Sequence, residues 1–181
     1  IAFINAGGIR HSIDEGPISY GELYQTLPFD NVVSKLIVSG KELKLIMRVA
    51  QSGSKGIFPV SGLKLKLRRE APLKLSNDLN GDGLLEEWEK DSLVDIKLES
   101  GQSVSDTQMY TVATVDFLAS GGDNLKWVMS QIPSSRKRLV AGPVLREVVM
   151  QAIQKQSFFG AIKSKLYPQP NLTAPRIVFV N

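Results

Sequence analysis

A chain of 181 residues fits one domain, long enough to bury about 70% of its extended surface without staples. Its 43% hydrophobic and 22% charged residues are those of an ordinary folded protein, and the absence of cysteine excludes disulfides, zinc–thiolate sites and thiol catalysis. The net charge is +4, yet no run approaches the roughly 18 apolar residues of a membrane span, and the basic clusters KLKLRR and SRKR lack interleaved aromatics, so neither a span nor a nucleic-acid partner is expected.

The chain opens on an apolar strand, IAFI, with no leader peptide before it, which reads as a domain cut from a longer protein. NAGGIR follows at residues 5–10. The paired glycines Gly7 and Gly8 let a backbone come close to a ligand, and Arg10 offers a planar fork of donors suited to an anion. Neither a Walker lysine nor the three spaced glycines of a dinucleotide fingerprint accompanies them. Ser19-Tyr20-Gly21-Glu22 forms a capping box that starts a short helix, ended by Pro28. VVSKLIV reads as a strand. A second box, Ser39 to Glu42, opens a helix with Leu43, Ile46, Met47 and Ala50 on one face.

LKLKL alternates strictly, which puts Lys64, Lys66 and Arg68 on the outer face of a strand. VDIKLE and MYTVATVDF are two further strands, the second ending at Phe117. A helix is expected after Gly121-Gly122-Asp123, and another with Pro143 in its first turn and Leu145, Val148, Val149, Ala152 and Ile153 on its apolar face. The tail from Ser157 is irregular until RIVFV, a last strand. Helices and strands intermix without a βαβ period, so the expected fold is α+β, one domain with a mixed sheet and packed helices.

Residues 78–89, DLNGDGLLEEWE, carry Asp78, Asn80, Asp82, Gly83 and Glu89 at the first, third, fifth, sixth and twelfth places of an EF-hand loop. Calcium takes six to eight oxygens, and alternate side chains of a tight loop converge to supply them. Leu84 adds its carbonyl, Glu86 a direct or water-borne contact, and Glu89 two oxygens, while the apolar Leu85 is expected to anchor the loop. The alternative is an acidic turn whose side chains bond their own backbone. The preceding residues do not form a convincing helix, so a lone structural Ca2+ loop is expected rather than a sensor. In the segment 110–124 Phe117 serves as core or ligand contact, and Asp123 as helix N-cap, ligand contact or both.

NAGGIR, GPISYGELYQTLPFDN, GIFPVSGLKLKL and YTVATVDFLASGGDN stand in the order and approximate spacing of the C-terminal domain of the 5'-nucleotidases, a family that includes UDP-sugar hydrolases and 2',3'-cyclic-nucleotide phosphodiesterases. The chain resembles that family closely over residues 1 to about 130. The resemblance implies a division of labour: an N-terminal metallophosphatase domain, absent here, holds two divalent metals and hydrolyses the ester, while this domain binds the nucleoside part of a nucleotide. It implies that Phe29 and Phe117 sandwich the base, that Asp123 accepts from the ribose hydroxyls, and that Asn5 and Arg10 contact base or sugar and phosphate. It also implies a periplasmic or cell-surface setting and an inserted calcium loop where relatives have a short connection. With one histidine, His11, the chain cannot furnish a di-metal centre and is expected to bind without hydrolysing. The other reading is a calcium-stabilised binding module without catalysis.

Overall fold

The computed structural model describes residues 1–70, 76–138, 142–158 and 175–180. The two capping boxes form as the sequence predicts. Ser19 Oγ accepts from Glu22 N and Glu22 returns the bond to Ser19 N at 2.8 Å, opening α1, Tyr20–Thr26. Ser39 and Glu42 do the same at the head of α2, Gly40–Ala50, where Glu42 also takes both arms of the Arg136 fork at 2.8 and 2.7 Å. Leu43, Ile46 and Met47 of α2 are fully buried and join both sheets of the protein into one core. Its first residue must be glycine: a Cβ at Gly40 would lie 1.9 Å from the carbonyl oxygen of Ser105.

The first sheet has the order β3–β1–β6–β2–β7, from Val60–Ser61, Ala2–Phe3, Met109–Val115, Val33–Ser39 and Lys137–Arg138. Only β1 and β6 run parallel in it, with Ala2 opposite Ala113. The second sheet places β4, Leu63–Arg68, between β5, Leu93–Leu98, antiparallel to it, and β8, Ile177–Val180, parallel. On β4 the leucines are buried and Lys64 and Lys66 exposed, as the alternation requires. The fold is therefore α+β with two mixed sheets.

Four expectations are corrected. β6 stops at Val115, because Asp116 Oδ1 accepts from Val32 N at 3.0 Å and from Phe117 N at 2.9 Å, turning the chain into a short helix α3, Asp116–Ala119. Phe117 is thus a helical residue. Helix α4 begins at Lys126, not at Asp123, whose φ of 50° and that of Asn124 at 70° are left-handed. Pro143 precedes α5, Leu145–Phe158, and gives its carbonyl to Val33 N at 3.0 Å. The short strands β3 and β7 carry no alternation that could reveal them. Of the irregular stretch expected from Ser157, residues 157 and 158 are helical in α5, and residues 159–174 lie outside the described residues. SRKR proves structural in part: Arg136 pairs with Glu42 and Lys137 Nζ donates to the Met129 carbonyl. No helix among the described residues is long and apolar enough to cross a membrane.

Candidate functional site

Topology brings the motifs together. β1 and β6 are parallel, so Asn5 and Asp116 leave their strands at the same end of the sheet; β2 and β3 run the other way, so the segments before Val33 and Val60 arrive at that end too. Four loops, 4–10, 27–32, 52–59 and 116–124, meet there, beyond the carboxyl ends of the two parallel strands, where ligands of open sheets commonly bind.

The first loop makes a tight 3-10 turn at Ala6–Gly8. Asn5 is buried, and its Nδ2 donates to Asp123 Oδ2 at 2.6 Å, closing the NAGG and GGD loops on each other across 118 residues. A Cβ on Gly8 would stand 2.8 Å from Asn5 Oδ1, so glycine there makes room for that amide. A Cβ on Gly7 would meet Asn5 Nδ2 at an ordinary 3.6 Å. Arg10 is anchored by its backbone, N to Thr26 O at 2.9 Å, while its exposed side chain forms no ion pair among the described residues and reaches only the Gly7 carbonyl at 3.4 Å. His11 is exposed and bonds the neighbouring Ser12 carbonyl.

Two aromatic rings stand at the rim. Phe29 is 48% exposed and Phe117 44%, unusual exposures for such side chains, and neither stacks on another aromatic ring among the described residues. Phe117 lies flat against Gly122: a Cβ at that glycine would fall 2.4 Å from its Cζ. Asp123 does not cap α4. Its carboxylate is held by Asn5, and the left-handed turn it shares with Asn124 is a costly conformation of the kind retained at working sites. Asn124 Nδ2 in turn donates to Ser54 Oγ at 3.1 Å, tying in the loop that Gln51 secures through two bonds to Phe58.

A residue that local pattern does not single out supports the Phe29 loop. Arg146 of α5 donates to the Leu27 carbonyl at 2.8 Å and to Asp30 at 2.6 Å, with its guanidinium 4.5 Å from the Tyr24 ring centroid. Tyr20 and Tyr24, four apart on α1, are the available sequence signal: a ring stripe suited to a guanidinium.

The loop 78–89 folds as a closed network. Asp78 accepts from Gly81 N at 2.6 Å and Gly83 N at 2.7 Å, the Gly83 amide chiefly holding its carboxyl below the usual carboxylate range. Asn80 and Asp82 bond each other, and Asp82 Oδ1 accepts from the Leu84 amide. Glu89 is fully buried, with Oε1 on Leu79 N and Asn80 N and Oε2 on Glu86 N. Glu86 accepts from the Trp88 indole at 2.6 Å. Among the described residues no group of three His, Cys, Asp or Glu side chains is arranged to hold a metal ion. Leu85 does not anchor the loop, being 39% exposed; Leu79 and Trp88 pack against the core instead. Trp88 meets Trp127 at 6.3 Å between ring centroids, beside Asn124, so the loop 78–89 abuts the loop 116–124.

The family model "5'-nucleotidase, C-terminal domain" matches residues 1–130. Endonuclease YhcR of Bacillus subtilis is 31% identical over 121 residues, 66% of this chain and 8% of its own length. UshA of Escherichia coli is 29% identical over 86% of this chain and 24% of its own length. The crystal structure of a 5'-nucleotidase precursor from Thermus thermophilus superposes with a TM-score of 0.70 at 25% identity, covering 99% of this chain and 31% of that one. The chain thus spans less than a third of each of these proteins.

Proposed function

The chain belongs to the 5'-nucleotidase C-terminal domain family, and on that ground we propose that it is the nucleoside-binding domain of a larger, exported phosphoester hydrolase. The observation that supports the reading is the Asn5–Asp123 contact at the sheet end, where the loops that carry the exposed Phe29 and Phe117 also arrive. With Oδ2 engaged by Asn5, the other carboxylate oxygen of Asp123 is left to accept from the vicinal hydroxyls of a ribose. Phe29 and Phe117 stack on the base, each contributing about 1–3 kcal/mol with little preference among bases. Arg10, which pairs with no carboxylate among the described residues, takes the phosphate, and the glycine-rich turn at Gly7 and Gly8 lets the ligand approach the backbone.

The chain itself does not hydrolyse. The family's divalent metal pair needs several histidines and carboxylates in one place, and the residues here, with one histidine, do not fit it. Its own N-terminal catalytic domain is the expected partner. Calorimetric titration of adenosine into the 181-residue chain tests the reading. Saturable binding that is lost in Phe117→Ala, and an Asp123→Asn variant that weakens adenosine but not 2',3'-dideoxyadenosine, are the expected results. No heat up to millimolar adenosine would refute it and favour a binding module for another ligand.

We also propose that the loop 78–89 takes a structural Ca2+. Its donors are Asp78, Asn80, Asp82, the Leu84 carbonyl, Glu86 and Glu89, a set whose oxygen chemistry and order suit that ion. Glu89 must first release the amides of Leu79, Asn80 and Glu86, so binding is expected to be weak and to suit calcium-rich surroundings.

A further inference from the structure

We propose that Arg146 is a positioning residue for Phe29, fixing the turn from which that ring meets the base. The inference rests on the reading of Phe29 as a stacking ring. A side chain 48% exposed is not held by its own burial. The backbone that carries it must be held instead, and Pro28 has already removed one donor from the turn.

The two groups that flank Phe29 most closely in this respect, the Leu27 carbonyl and the Asp30 carboxylate, both belong to the same guanidinium: Nη1 donates to the first at 2.8 Å and Nη2 to the second at 2.6 Å. The fork therefore spans the turn. One residue earlier on α5, Leu145 N donates to the Asn31 carbonyl at 2.9 Å, continuing the clamp towards β2. Arg146 is itself immobilised. It is 6% exposed, lies 4.5 Å from the Tyr24 ring centroid and 5.9 Å from that of Tyr20, and gives Nε to the Tyr20 hydroxyl at 3.3 Å. All three nitrogens are engaged, and a planar fork does what an ammonium cannot, reaching two separated acceptors at fixed geometry. Arg146 lies beyond residue 130, where the family match ends, so α5 adds this hold from outside the matched motifs.

The test uses the chain labelled with 4-fluorophenylalanine at its seven phenylalanines, the Phe29 and Phe117 resonances being assigned with Phe29→Leu and Phe117→Leu. In Arg146→Lys the Phe29 resonance is expected to shift or broaden while that of Phe117 stays in place. Adenosine should bind about tenfold more weakly, a loss within the value of one stacked ring. In a Phe29→Ala background, Arg146→Lys should cost nothing further. A Phe29 resonance that does not move, or an equal loss with and without the Phe29 ring, would overturn the proposal. Should Arg146→Lys not fold, Asp30→Ala removes one anchor at a side chain 76% exposed and must move the same resonance. If the parent chain binds no adenosine and the resonance still moves, the nucleoside reading fails and the positioning of the ring stands.

Discussion

Gly122→Ala separates the stacking role proposed for Phe117 from its part in stability. The added Cβ would lie 2.4 Å from Cζ and 2.5–2.6 Å from both Cε atoms, whereas ordinary contact begins at 3.4 Å, so the ring must retreat by about 1 Å. Gly122 does not have a positive φ, so alanine strains no backbone and can add a few tenths of a kcal/mol by stiffening the unfolded chain. The ring is 44% exposed and yields into solvent, which keeps the change in stability below about 1 kcal/mol. Binding is less forgiving. A gap of about 0.5–1 Å forfeits a quarter to a half of a dispersion contact, so about half of a stack of 1–3 kcal/mol is lost. Adenosine affinity should fall about 2- to 12-fold. Calorimetry with a parallel thermal melt measures both quantities. Unchanged affinity would refute the reasoning, as would a drop in affinity matched by general unfolding.

Gly40→Ala has no such outlet, because the intruding methyl meets the Ser105 carbonyl oxygen at 1.9 Å and its carbon at 2.7 Å; the cost should exceed the usual 1–3 kcal/mol of overpacking, roughly, and a melt at the parent temperature would contradict this. The Arg136 fork, followed by the Ser39 cap, holds the Glu42 carboxyl below its ordinary 4.5. A carboxyl depressed in the folded state stabilises above the unfolded value and loses that contribution as pH falls through the folded one. The advantage of the parent over Glu42→Gln should therefore be full at neutral pH and shrink below 4.5, as read by melting temperature against pH. Millimolar Ca2+ should raise the melting temperature and alter tryptophan fluorescence through Trp88, and Glu89→Gln should abolish both; no response in the parent would dismiss the metal.

What could be read from the sequence was what is decided locally. Both capping boxes close within four residues, and the leucines of β4 alternate without exception, so α1, α2 and β4 lie where their patterns put them. Phe117 was misplaced because VDF continues an apolar β pattern, and the strand is ended by a contact from Asp116 to Val32, 84 residues away. Asp123 looks like a helix cap for the same reason: the bond that fixes it comes from Asn5. The motifs supply the candidate residues, but the support from Arg146 depends on α5 meeting α1, which no periodicity encodes. In the loop 78–89, Leu85 is the apolar residue at the eighth position, yet the larger Trp88 meets Trp127 and does the anchoring.

The parallel pairing of β1 with β6 also sets a schedule. Ala2 cannot find Ala113, nor Asn5 its partner Asp123, until more than a hundred intervening residues have been made and gathered, and contacts so distant in sequence form slowly. During synthesis the first strand waits with both edges bare while α1 and α2 already have all the local signals they need. In refolding, nucleoside binding should return after the helical circular dichroism. A chain stopped just short of Asp123 would carry both capped helices and lack the partner that Asn5 holds.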